Sequence, residues 1–153
     1  MEKVRFKLDS EDWHGHSLER MWAKEVLGSD RLTLFQVQNS PFFAKGVSFL
    51  DVVSVLRDED GEYVFDEVVE KSGHSTLILL VPIESKAAFY ADCWPEAETL
   101  GCTYESGEIE LSFGLAEMLS VDVLPTADRH TVRDWLVAGE RASVFHYQES
   151  DLR

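Results

Sequence analysis

Cysteine is scarce: Cys93 and Cys102 are the two in 153 residues, too few for a disulfide framework and without the spacing of a four-ligand zinc site. Basic residues are short as well, with 14 Lys and Arg against 29 Asp and Glu and a net charge of -15. Binding to a phosphate backbone depends on basic side chains that release counterions, so nucleic acid is not an expected partner, and neither is an anionic membrane surface. No window approaches the roughly 20 apolar residues of a membrane span. The longest aliphatic run, Leu77 to Pro82, is strand-sized. The opening MEKVRFKLDS lacks the apolar stretch of a signal peptide, and a reducing cytoplasm is the expected compartment. There is no G-x-S-x-G elbow, HExxH pair or Walker lysine.

What is present is core-forming composition. A hydrophobic fraction of 44% with 11% aromatics is that of an ordered protein, and a chain of this length buries enough surface to fold without cofactor or disulfide. Val4, Phe6 and Leu8 alternate with Lys3, Arg5 and Lys7, the period of a strand with one wet face. Leu18 to Leu27 suits a strand or one helical face through Leu18, Met21, Trp22 and Val26. The turn signal Gly28, Ser29, Asp30 ahead of RLTLFQV decides for strand, with Trp22 on the buried side. Val47 to Leu56 reads as a buried strand. The acidic turn at Asp58 to Gly61 then makes a hairpin with EYVFDEVVE.

After KSGHS the pattern changes. Thr76 to Val81 is a continuous apolar strand feeding the core. Ser85 is placed to cap KAAFYADCWPEAETLG, whose Phe89, Cys93, Ala97 and Leu100 fall at near-helical spacing. Pro95 should kink that helix, unless the chain restarts there with Pro95 in a first turn. CTYES, EIELSFGL and MLSVDVLP are β-rich, with Ser106, Gly107 and Gly114 as turn residues. Thr126 or Asp128 caps HTVRDWLVAG, Trp135 faces inward, Gly139 marks the stop, and SVFHY is the last strand. The expected fold is therefore α+β. Residues 1–73 form a small β-barrel-like or curled antiparallel sheet, followed by a ferredoxin-like split βαβ unit over 74–153.

Chemistry concentrates in few places. Ser72, His74, Ser75 and Thr76 crowd one turn, and a Ser/His nucleophile pair with His74 as base is conceivable there. The plainer reading is a hinge whose polar side chains satisfy backbone groups. His14 and His16 form an H-x-H pair with no third ligand nearby, so neither metal nor cofactor is expected. The carboxylates Asp58, Glu59, Asp60 and Glu62, and separately Glu105, Glu108 and Glu110, form acidic faces suited to a basic partner. Trp94, off the Phe89/Cys93/Ala97 stripe, is the expected exposed aromatic anchor.

The segments NSPFFAKGVSFLDVV, FDEVVEKSGHST and LGCTYE together resemble a bacterial family, domain of unknown function 4265. The likeness rests on Asn39, Pro41, Phe42, Phe43 and Ala44, on Asp51, Val52 and Val53, on Ser72 to Thr76, and on Leu100, Gly101, Cys102 and Glu105. Leu50 stands where that pattern has Gly. The resemblance implies a shared fold with SGHST as one of its features, and no activity.

Three functions fit. The first expectation is an acidic cytosolic binding protein, specifically an immunity protein that neutralises a basic bacterial toxin, because charge of this size steers encounter with basic partners. The alternatives are a small enzyme using the SGHST turn and a small-molecule-sensing regulatory domain.

Overall fold

The computed structural model describes residues 1–28 and 32–152. The fold is α+β, and the chain divides into two compact units, Met1–His74 and Ser75–Arg153.

The first unit is a five-stranded sheet: β1 Glu2–Lys7, β2 Leu18–Val26, β3 Leu34–Val37, β4 Val52–Arg57 and β5 Tyr63–Glu70. Consecutive strands pair antiparallel. The sheet curls until β5 meets β1 in a short parallel ladder, Val4 opposite Tyr63 and Arg5 opposite Val64. The alternation read in β1 places Val4 and Phe6 inside, where they pack with Met21, Ala23, Phe35, Val37, Val53 and Val55. Two local expectations change here. Residues 47–51 are loop, not strand, and β4 begins at Val52. Trp22 is 48% exposed, because in a strand it lies on the face opposite Met21 and Ala23; the Lys3 ammonium sits 4.7 Å from its ring. Of the turn placed on Gly28, Ser29 and Asp30, the last two residues lie outside the described residues, as does Arg31.

The second unit has β6 Ser75–Pro82, a helical run, β7 Cys102–Leu111, β8 Gly114–Val123, α3 Arg129–Arg141 and β9 His146–Asp151. Its sheet is antiparallel, in the order β7-β8-β6-β9. Ser106 and Gly107 do not turn. They pair across to Leu119 and Met118 inside one ten-residue strand, and the hairpin falls at Ser112 and Phe113. Of the two candidate caps for α3, Asp128 takes the role, its Oδ1 accepting from the N–H groups of His130 and Thr131.

The helical run is broken in an informative way. A 3₁₀ turn, Ile83–Ser85, leads to α1 Lys86–Ala88, a π turn Phe89–Cys93, and α2 Trp94–Thr99. Ser85 makes no side-chain capping bond. The Trp94 N–H reaches back five residues to Phe89 O, and Pro95 falls in the first turn of α2, where its missing N–H costs little. The extra residue of the π turn rotates everything after it. Trp94, and not Cys93, therefore joins Phe89 and Ala97 in the core. Trp94 is only 4% exposed, its Nε1–H donating to Glu98 Oε1 at 3.0 Å, so it is no surface anchor.

Gly139 does not end α3, which runs on to Arg141. The glycine instead makes room for Phe145: an added Cβ would lie 2.2 Å from Phe145 Cζ. Trp135 is buried and packs 5.2 Å from Phe145, ring to ring.

Candidate functional site

The SGHST turn is tied down chiefly through Asp51. This carboxylate is wholly buried, and its oxygens accept from the N–H of Ser72 at 2.8 Å and of Ser48 at 2.9 Å, with Lys71 Nζ at 3.5 Å. Lys71 also donates to Gly46 O at 2.6 Å. The Ser72 hydroxyl donates to Phe49 O at 2.7 Å and accepts from the His74 N–H at 3.2 Å. It is bonded to the backbone of His74, not to the imidazole. A nucleophile needs its base within hydrogen-bond reach of the hydroxyl, and Ser72 with His74 does not supply that pair. The His74 ring is buried, edge-on to Phe49 at 5.3 Å. Ser75 opens β6 opposite Val123 and is completely buried. The same loop contains Leu50 at φ +66°, in the left-handed region glycine normally occupies; its N–H donates to Val37 O.

The PFFA segment is held by a second carboxylate. Glu19, on β2, accepts from three successive N–H groups: Phe42 at 2.7 Å, Phe43 at 3.0 Å and Ala44 at 2.8 Å. Asn39 Oδ1 accepts from the Trp22 N–H at 2.8 Å. Successive N–H groups make a concavity that favours an anion, and here the chain fills it itself. Sequence reading missed Glu19, because its partners lie more than twenty residues away and no local pattern marks it.

His14 and His16 are brought together, though not as metal ligands. The His16 N–H donates to His14 Nδ1 at 2.8 Å, and His16 Nδ1 lies 2.8 Å from His14 O. His16 stacks on Phe43, centroids 4.4 Å apart. Among the described residues, no group of three or more His, Cys, Asp or Glu is arranged to hold a metal ion. Burial lowers the pKa of His14 below 6.5; Asp12 and Glu19 oppose that shift, while His16 and Lys45 add to it. The folded chain thus resists a proton that the unfolded chain accepts. This part of the stability is intact above pH 6.5 and declines as pH falls through the window below it. Asp12, held below 3.8 chiefly by its hydrogen bond from Lys45, adds a further loss only in stronger acid. The thermal midpoint is expected to fall as the pH drops below 6.5 in the wild type, and to fall less in His14→Gln. Identical slopes in the two proteins would contradict this assignment.

The acidic sets divide. Arg5 and Arg20 face each other in register on β1 and β2, a like-charge pair that needs compensation. Asp58 and Glu62 supply it: Asp58 bonds Arg5, and Glu62 lies 3.3 Å from Arg5 and 3.5 Å from Arg20. Asp58 also accepts from the N–H groups of Asp60 and Glu62, shaping the turn. Asp58 is half-buried in this ion pairing, whereas Glu62, though paired, stays exposed with Glu59 and Asp60 on that hairpin. On β7, Glu105, Glu108 and Glu110 are all exposed. So are Asp92, Glu96 and Glu98 along the helical run.

One further cluster was not anticipated. Tyr90, placed by the π turn, donates to Glu117 Oε2 at 2.9 Å, and Lys86 Nζ is 3.3 Å from the same oxygen. Burial, reinforced by the bond to Glu117, pushes the Tyr90 phenol well above its usual range. It stays protonated and pins the helical run to β8. The thiols are equally quiet: burial raises both, Cys102 to about 11.

The family model described as Domain of unknown function (DUF4265) matches residues 19–147. The chain belongs to this family. The stretches tied down by Glu19 and Asp51 lie within the matched region. A crystal structure described as that of a hypothetical protein from Neisseria gonorrhoeae is similar over 99% of this chain and 94% of its own, with TM-score 0.70 and 21% sequence identity, a likeness of fold. No curated protein matches the sequence. Among the described residues no helix is long and apolar enough to cross a membrane.

Proposed function

We propose that this protein is an acidic cytoplasmic binding protein whose partner is a basic protein, in the manner of an immunity protein that neutralises a bacterial toxin. The observation that carries the reading is the charge on the terminal strand of the second sheet. β7 stands at the end of the order β7-β8-β6-β9 and sets out Glu105, Glu108 and Glu110 in the open, with Asp92, Glu96 and Glu98 exposed on the preceding helical run. A terminal strand can take up an extended segment, and carboxylates along it select a basic one and speed its encounter. Carboxylates on an edge also discourage self-association, which suits a chain of net charge -15 that stays available to a partner. We read the second unit as ferredoxin-like; the order strand, helix, two strands, helix, strand and the pairing β7-β8-β6-β9 support that reading.

The test is co-expression with a basic toxin domain encoded beside this gene. Growth should be rescued and the two chains should co-purify, less so as salt rises. Combining Glu105→Gln, Glu108→Gln and Glu110→Gln should slow association about tenfold in a chain that stays folded at the assay temperature. Continued killing with no co-purification would refute the proposal.

A further inference from the structure

We propose that the first unit carries a binding site for a small neutral aromatic amide, a single planar ring bearing a carboxamide, in the cleft beside His14. The cleft has a volume of about 220 Å³, room for one ring and one substituent. Its walls are aromatic: Phe6 and Phe65 stack at 4.7 Å, and Phe43 lies 4.7 Å from the His14 ring.

The polar feature is His14 itself. Its side chain lines the cleft while the residue is only 8% exposed. Nδ1 accepts the His16 N–H, and a ring nitrogen that accepts carries no proton, so in the neutral ring the proton sits on Nε2. Burial favours that neutral ring. Nε2–H has no hydrogen-bond partner among the described residues and is not closed off from solvent, so an acceptor entering the cleft can take it up. The loop that carries it is preformed. Asp12 N–H donates to Asp9 O, Gly15 N–H to Asp12 O, and Leu8 N–H to Ser17 O.

Charge chooses the ligand class. Lys7 and Lys45 are balanced at the cleft by Asp9 and Asp12, and Lys45 is already 2.7 Å from Asp12. A carboxylate ligand meets two aspartates and an ammonium meets two lysines, whereas a neutral carbonyl meets the His14 N–H without displacing the ion pair. The amide ring lies against the phenylalanines, and its oxygen accepts from Nε2–H. The site is separate from the acidic strand β7, so either proposal can fail without the other. It gives the small-molecule-sensing alternative a definite place.

The experiment is two-dimensional NMR on the full chain, with benzamide as the probe and benzoate and benzylamine as controls. Benzamide should bind saturably, shift the His14 imidazole resonances, and bind at least about tenfold more tightly than either charged control. His14→Phe keeps a ring and removes the donor, and should weaken benzamide about tenfold. Should that variant not fold, long-range ¹H–¹⁵N correlations of the wild-type imidazole decide the question, since the proposal requires the Nε2–H form. An Nδ1–H imidazole, benzoate binding as tightly as benzamide, or benzamide that never saturates or leaves His14 unshifted would each overturn it.

Discussion

Asp51→Ala is expected to cost about 3 kcal/mol of unfolding free energy, a large share of the stability of a domain this size. The carboxylate is completely buried and accepts from Ser48 N–H and Ser72 N–H, with the Lys71 ammonium beside it. Removing it takes the buried acceptor from two backbone donors, which then incur a desolvation penalty, while the Lys71 ammonium keeps its bond to Gly46 O. Asp51→Asn keeps one acceptor oxygen and should recover part of the loss. Urea titration followed by tryptophan fluorescence measures both variants. A loss under about 0.5 kcal/mol for alanine would mean that the loop is held by other contacts.

Gly139→Ala is expected to destabilise the second unit by about 2 kcal/mol, although alanine ordinarily improves a helix by nearly 1 kcal/mol over glycine. The new Cβ would sit 2.2 Å from Phe145 Cζ and 2.3 Å from Cε2, and Phe145 is itself 1% exposed and packed against Trp135 and Phe89. The ring has nowhere to retreat. In a Phe145→Leu background the same substitution should cost much less, a coupling that thermal unfolding of the four proteins in the cycle resolves. Gly139→Ala that raises the midpoint would show that the ring can move aside.

These two positions mark where sequence reading stops. Gly139 looked like a helix stop because the local rule for a glycine near the end of a helical pattern is a C-terminal one. The actual reason is a ring six residues later, folded back onto the helix. Trp22 and Trp94 lie on the opposite sides from those their local patterns suggest, for related reasons. Trp22 could share a helical face with Met21, but in a strand neighbouring residues point opposite ways. Trp94 could be placed only by knowing that a π turn inserts one extra residue before it. Ser106 and Gly107 carry turn chemistry, yet pairing with Leu119 and Met118 outweighs it over a ten-residue ladder.

The candidate site divides in the same way. The crowding of Ser72, His74 and Ser75 was visible, and so was the H-x-H pair. The amide acceptance that fixes the His14 tautomer was not, and neither was the engagement of the Ser72 hydroxyl by Phe49 O. Of the hairpin carboxylates, sequence alone cannot tell Asp58 and Glu62 from Glu59 and Asp60. Their difference rests on Arg5, 53 residues from Asp58 along the chain.

By itself the sequence determined the coarse order of elements, the wet and dry faces of β1, a cap for α3 at Thr126 or Asp128 and the acidic balance, because each is encoded within a few residues by periodicity, capping chemistry or simple composition. Only the tertiary structure decided which carboxylates are spent internally, which tryptophans are buried and why Gly139 is glycine. Those outcomes depend on strand register and on contacts between residues far apart in the chain, and one inserted residue is enough to exchange the inside of an element for its outside.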